Sequence, residues 1–97
     1  MRPEPSVRAI RHEPDARRFA MDIDGSTAFL SYRELPGRTL DFDHTFVPTT
    51  FRGRGLASQL TAHALRYARD QGYGVVPSCP FVAAYLARHP EYHKLIT

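Results

Sequence analysis

Leu56, Leu60, Ala64, Leu65 and Ala68 recur at helical spacing across residues 54–71, between two short apolar runs at 39–47 and 74–76. A helix that joins two strands crosses from one end of a sheet to the other, so its flanking strands are most simply parallel neighbours. Gly72, just past Gln71, supplies the left-handed residue that commonly closes such a helix. This crossover points to an α/β chain whose other strands are added on one side.

Those other strands read as antiparallel. Val7, Ala9 and Ile10 begin a short strand, and Phe19, Met21 and Ile23 alternate with Ala20 and Asp22 up to the turn signal Asp24-Gly25. Residues 27–32 form the returning strand, Pro36-Gly37 the next turn, and 39–47 a third strand. Regular alternation places Leu40, Phe42, His44 and Phe46 on one face of it, and Asp41, Asp43 and Thr45 on the other. Pro80 starts a second helix reaching about Arg88, with Phe81, Ala84 and Tyr85 along one side. It stops before His89-Pro90, because a residue ahead of proline disfavours helical geometry. The expectation is a single domain over residues 1–97. Its antiparallel strands continue into two splayed parallel strands, with the long helix between them and a second helix after Cys79.

The turn into the long helix is Arg52-Gly53-Arg54-Gly55-Leu56-Ala57. First-turn amides lack intrahelical acceptors and stand at the positive end of the helix dipole, so an anion satisfies both. Gly53 and Gly55 remove side chains that would hold a phosphate away from the backbone, while Arg52 and Arg54 add positive charge at the rim. Alone, such a stretch is equally a solvated helix start.

Its surroundings resemble the acetyl-CoA signature of the GNAT family of N-acetyltransferases, Gln/Arg-x-x-Gly-x-Gly/Ala, which Arg52, Gly55 and Ala57 meet in register. Val47 stands six residues before Gly53, where the family's preceding strand commonly ends in valine. His44-Thr45, Val47-Pro48, Cys79-Pro80-Phe81, Tyr85 and His89-Pro90-Glu91-Tyr92 together resemble the small, single-domain GNAT-like proteins, over residues 18–96. The resemblance implies a compact GNAT-like fold with a cofactor cleft between the splayed strands. Pantetheine would pair with backbone near Phe46 and Val47, the pyrophosphate would rest on amides from Arg52 to Ala57, and Cys79, Pro80 and Tyr85 would flank the thioester.

For the chemistry, GNAT enzymes use a base that takes a proton from the acceptor amine and an acid that returns one to the departing thiolate. The resemblance assigns the acid to Tyr85, seven positions after Ser78 where the broader family commonly has Asn; the alternative is an ordinary core aromatic. Cys79 near a helix N-cap is either a thiol whose pKa the dipole lowers or a small buried hydrophobe. The resemblance favours a transient acyl acceptor. His44 is the first choice of base, because its side chain is an imidazole and its strand leads directly into the glycine turn, its alternative being a partly buried residue held by Thr45. Asp41 is the rival, but it has opposite parity to His44 on a regular strand, so only a bulge brings both to one face.

Composition bounds the rest. The formal charge is +3, with 12 Arg against one Lys, which suits an anionic ligand and also weak nucleic-acid binding. One Cys excludes an internal disulfide framework and fits a reducing compartment. No apolar run approaches the roughly 18 residues of a membrane span, and Met1-Arg2-Pro3-Glu4-Pro5 lacks an apolar signal core, so a cytoplasmic protein is expected. His89 and His93 share a spacing of four, but Pro90 interrupts them and no ligand pattern completes a shell, so no metal is expected. Three functions remain: an acetyl-CoA-dependent transferase acting on an amine of a small molecule, peptide or protein tail; a CoA-binding sensor or partner subunit without efficient turnover; and an Arg-rich nucleic-acid module. Binding by the last would weaken steeply with salt, and no motif with stacking aromatics supports it.

Overall fold

The computed structural model describes residues 9–97. Strand β1 (Arg11–Glu13), β2 (Arg18–Ile23), β3 (Ser26–Leu35) and β4 (Thr39–Phe46) succeed one another as an antiparallel meander. Helix α1 (Leu56–Gln71) crosses to β5 (Gly74–Val76), which pairs parallel to β4, and helix α2 (Pro80–Arg88) comes next. Spatial strand order equals sequence order. The expected class and parallel pair are present. Several boundaries differ: β1 begins at Arg11, β3 runs from Ser26 to Leu35, β4 ends at Phe46, and α1 begins at Leu56, because Gly55 is left-handed (φ 78°) and cannot continue a helix backwards. Val7 lies outside the described residues.

The hairpin between β2 and β3 turns through Asp24 and Gly25, both at positive φ, a geometry that matches the right-handed twist of the flanking strands. One sheet face carries Phe19, Met21, Ile23, Leu30, Leu40 and Phe42, all fully or nearly buried. Against it packs the α1 stripe of Leu56, Leu60, Ala64, Leu65 and Ala68, with Val82 and Leu86 of α2 in the same cluster. Each large apolar side chain sealed there contributes about 1.5–3 kcal/mol. In α2 the packed stripe is therefore Val82 and Leu86, which leaves Phe81 and Ala84 exposed and Tyr85 half-buried.

The opposite sheet face is polar. Arg11 pairs with Asp22 at 3.0 Å, Thr27 donates to Asp22 at 2.8 Å, and Arg33 pairs with Asp41 at 2.7 Å. Between them Arg18 lies over the Phe29 ring. The partly exposed pairs among these contribute little each.

Under α1, His12 of the edge strand β1 stacks on Phe19 with 4.4 Å between ring centroids, and its Nε2 lies 2.6 Å from the Tyr32 hydroxyl. Burial pushes the Tyr32 phenol up to about 12. Burial also lowers the pKa of His12, helped by the nearby His63, and burial lowers that of His63, helped by Arg66. Both imidazoles are thus held neutral in the fold while the unfolded chain takes up protons more readily. Their contribution is fully present above the ordinary histidine pKa and is lost as pH falls toward the depressed values. Urea denaturation should show stability falling between about pH 7 and 5, and the His12→Gln/His63→Gln double variant should lose much of that slope. An unchanged slope would show that other groups carry it.

Candidate functional site

β4 carries one more residue than β3 opposite it. Tyr32 faces Phe42 and Ser31 faces His44, so Asp43 is a bulge. The expected alternation therefore fails at this point. Leu40 and Phe42 face the helices as expected, but His44 and Phe46 turn to the polar face, where both rings meet Phe29 (centroids 5.9 and 5.6 Å), and Thr45 turns inward. The bulge also brings Asp41, Asp43 and His44 to one face, the condition under which Asp41 and His44 could share a task. Asp43 accepts a hydrogen bond from Ser31 at 2.7 Å.

Asp41 is 2% exposed. Burial alone would raise its carboxyl, but Ser78 and the Arg33 guanidinium outweigh that and hold it below the usual carboxylate range. Its Oδ1 is left without an aligned donor. Asp41 is thus already committed to Arg33, whereas His44 is exposed. Thr45 does not hold His44; its hydroxyl lies 3.3 Å from the Cys79 sulfur.

Beyond β4, Val47-Pro48 leads into a single 3₁₀ turn (Thr49–Phe51) that buries Phe51. Arg52 folds back, its Nε donating to the Val47 carbonyl at 3.0 Å, and the Arg54 guanidinium covers the Phe51 ring. Gly53 (φ 82°) and Gly55 (φ 78°) both need left-handed backbone, and Gly55 caps α1 without any side-chain acceptor for the first-turn amides. A cleft of about 480 Å³ opens in front of this turn, lined by Thr45, Val47, Phe51, Arg52, Gly53, Gly55, Leu56, Ala57, Ser58 and Phe81.

Of the expected cofactor-binding residues, Val47, Arg52, Gly53, Gly55, Leu56 and Ala57 line the cleft. Phe46 does not: the bulge turns its side chain to the other face, onto Phe29. Arg54 lies on Phe51 instead of in the cleft. Cys79 is buried at the N-cap of α2, its amide donating to the Phe42 carbonyl at 2.8 Å, with Pro80 opening the helix behind it. Tyr85 stands one turn beyond Phe81, and burial raises its phenol pKa. Thr45, Phe51, Ser58 and Phe81 were not foreseen as lining. Phe81 and Ser58 carried a signal, each falling in the first turn of an expected helix; Thr45 could be found only through the bulge.

β4 and β5 pair over three residues, Thr39–Asp41 with Gly74–Val76, the Cys79 amide continues the contact to the Phe42 carbonyl, and the cleft lies beyond it, with Thr45 and Val47 at the end of β4 and Phe81 at the start of α2 in its lining. The sheet, the glycine turn and the crossing helix define a small α/β domain with an uncapped glycine turn at a strand-to-helix junction. The model of the GCN5-related N-acetyl-transferase family matches residues 18–95, and the chain belongs to that family. Protein NATD1 of Xenopus tropicalis is 30% identical over 92 residues, spanning 93% of this chain and 84% of that protein. Protein NATD1 of Homo sapiens is 29% identical over 83 residues, spanning 84% and 74%. A GCN5-like protein from Staphylococcus aureus, solved in solution by NMR, superposes with a TM-score of 0.72 at 22% identity, covering 92% of this chain and 87% of its own. That likeness shows the fold.

Apart from the adjoining backbone, an alanine at position 55 would meet no atom of the described residues within 4 Å, so its penalty is conformational. Gly55→Ala should destabilise by about 1–2 kcal/mol, read as a lower urea midpoint at unchanged helix content. A neutral result would mean that the left-handed conformation is not kept in solution.

Proposed function

We propose that the protein binds acetyl-CoA in this cleft and transfers its acetyl group to an amine of a small molecule or peptide. The observation that carries the reading is the uncapped glycine turn of α1 opening into the cleft beside the Thr45–Cys79 contact. The space fits a phosphate: among the described residues, and apart from the adjoining backbone, no atom lies within 4 Å of where a Cβ would stand at Gly53 or Gly55. Amides from Arg52 to Ala57 would hold the pyrophosphate, and Arg52, which lines the cleft, would balance its charge. Backbone of Phe46 and Val47 would receive the pantetheine as an added strand, with Arg52 yielding or sharing the Val47 carbonyl.

When bound, acetyl-CoA supplies an activated thioester. His44, exposed on the polar face beside Asp43, takes the proton that the acceptor amine must lose. Tyr85, its pKa raised by burial, stays protonated and returns a proton to the leaving thiolate. Cys79 and Pro80 flank the thioester, and a thiol there could take the acyl group before the amine does.

A second reading, CoA binding without efficient turnover, is favoured by one observation. His44 faces away from Thr45 and the buried Cys79, on the opposite side of the sheet.

Calorimetric titration with CoA and acetyl-CoA tests the shared premise. Absence of binding at about 1 mM ligand, weaker than about −4 kcal/mol, would sink both readings. Gly55→Val should abolish binding by filling the phosphate approach, and Cys79→Ala should leave affinity intact. Mass spectrometry then separates the readings. Acetylated amine product whose formation slows about 10²-fold or more in His44→Ala or Tyr85→Phe supports the transferase, whereas acetyl label on Cys79 without product supports the binder.

A further inference from the structure

A thiol beside a thioester competes for its acyl group, because cysteine is intrinsically nucleophilic and the exchange replaces one thioester by another. Cys79 nevertheless stays out of the cleft. It is 5% exposed, packs in the buried cluster with Phe42, Leu56 and Val82, and is not part of the cleft lining. Its backbone is fixed from both sides, the amide donating to the Phe42 carbonyl at 2.8 Å and the carbonyl accepting from the Ala83 amide at 3.0 Å. Thr45 meets both the thiol and the cleft: it belongs to the lining, and its hydroxyl oxygen lies 3.3 Å from the Cys79 sulfur.

The bulge at Asp43 turns Thr45 inward, and a β-branched side chain has few rotamers to choose from. Its contact with the sulfur selects one of them. We propose that Thr45 is a specificity-determining residue: it screens Cys79 from a thioester bound in the cleft, so that the acetyl group passes from CoA directly to the acceptor amine. This rests on acetyl-CoA binding in the cleft, and it chooses between the direct route and the route through Cys79. Without the screen, thiol attack forms a bond between the Cys79 sulfur and the acetyl carbon, breaks the bond from that carbon to the CoA sulfur, and leaves the thiol hydrogen on CoA. The acetyl group would then sit on a sulfur packed in the core, on the helix side of the sheet.

Cys79 is the single cysteine of the chain, so the mass of the intact protein reports its state directly. Thr45→Ala removes the branch, whereas Thr45→Val keeps the shape and loses only the hydroxyl. N-ethylmaleimide should alkylate folded Thr45→Ala about tenfold or more faster than the wild type, and desulfo-CoA, which has no thiol of its own, should suppress that excess. Thr45→Val should stay close to the wild type. With acetyl-CoA, acetyl label should appear on Cys79 in Thr45→Ala alone. Thr45→Ser, which lacks only the methyl, should move in the same direction if alanine prevents folding. Acetyl label on the wild-type thiol overturns the proposal, as does Thr45→Ala no faster than the wild type or Thr45→Val as fast as Thr45→Ala. So does alkylation of Thr45→Ala that desulfo-CoA leaves unchanged while calorimetry shows it bound, because loosened packing would then be what exposes the sulfur. Calorimetry without binding sinks the acetyl-CoA reading instead, while alkylation, which needs no cofactor, still reads whether Thr45 screens the sulfur.

Discussion

Asp43, the extra residue in β4, sets the direction of every side chain between the sheet core and the glycine turn. Up to Phe42 the strand alternates with the core, so Leu40 and Phe42 close the space under α1. Had that alternation continued, His44 and Phe46 would have pointed toward the helices and Thr45 away from them. The bulge reverses this, and Thr45 and Val47 become lining of the cleft while two aromatic rings settle on Phe29 outside. Ser31 and Arg33 from β3 hold the bulged segment through Asp43 and Asp41. Thr45 reaches Cys79 only because of that reversal.

The glycine turn depends on stability generated elsewhere. A helix of this length ordinarily gains about 1 kcal/mol from a Ser, Thr, Asp or Asn cap, and α1 has none. Two residues ahead of it sit in left-handed backbone as well. The helix is held instead by its buried stripe from Leu56 to Ala68 and by a firm C-terminal end. There Gly72 and Tyr73 donate to the Arg69 and Ala68 carbonyls, and Arg38 donates to that of Gln71. Stability sits at the far end and in the core, and the near end is left with open amides.

How much of the fold and site was legible in the chain depends on the range of each signal. The α1 stripe, Gly72 and the alternation of Phe19, Met21 and Ile23 are periodic over many residues and imply the helix, its end and the antiparallel strands. Gly53 and Gly55 marked the strand-to-helix turn because glycine is the residue that left-handed backbone favours. The bulge was illegible: Asp43 differs in no local property from a residue in regular pairing, and its effect comes from how β3 and β4 count against each other. So Thr45 was missed and Phe46 misplaced, one error with a single cause. In α2 both Phe81/Tyr85 and Val82/Leu86 are apolar at helical spacing, and only the position of α1 selects which pair is buried.

The same bulge decides how the proposed chemistry would divide across the sheet. Thr45, Cys79 and the cleft lie on the helix side, and Tyr85 stands a turn beyond Phe81 on the helix that borders them. His44, Asp43 and Asp41 lie on the polar side. On the transferase reading, the donor arrives along α1 and the acceptor from the uncovered face, meeting past the end of β4, where Thr45, Val47 and Phe81 line the cleft. The proton lost by the amine and the proton gained by the thiolate would then travel on different sides of the sheet. Base and acid need no direct contact in that arrangement. Their separation is set by the backbone between Phe42 and Thr45, where the bulge and the Cys79 amide hold the strand from both flanks.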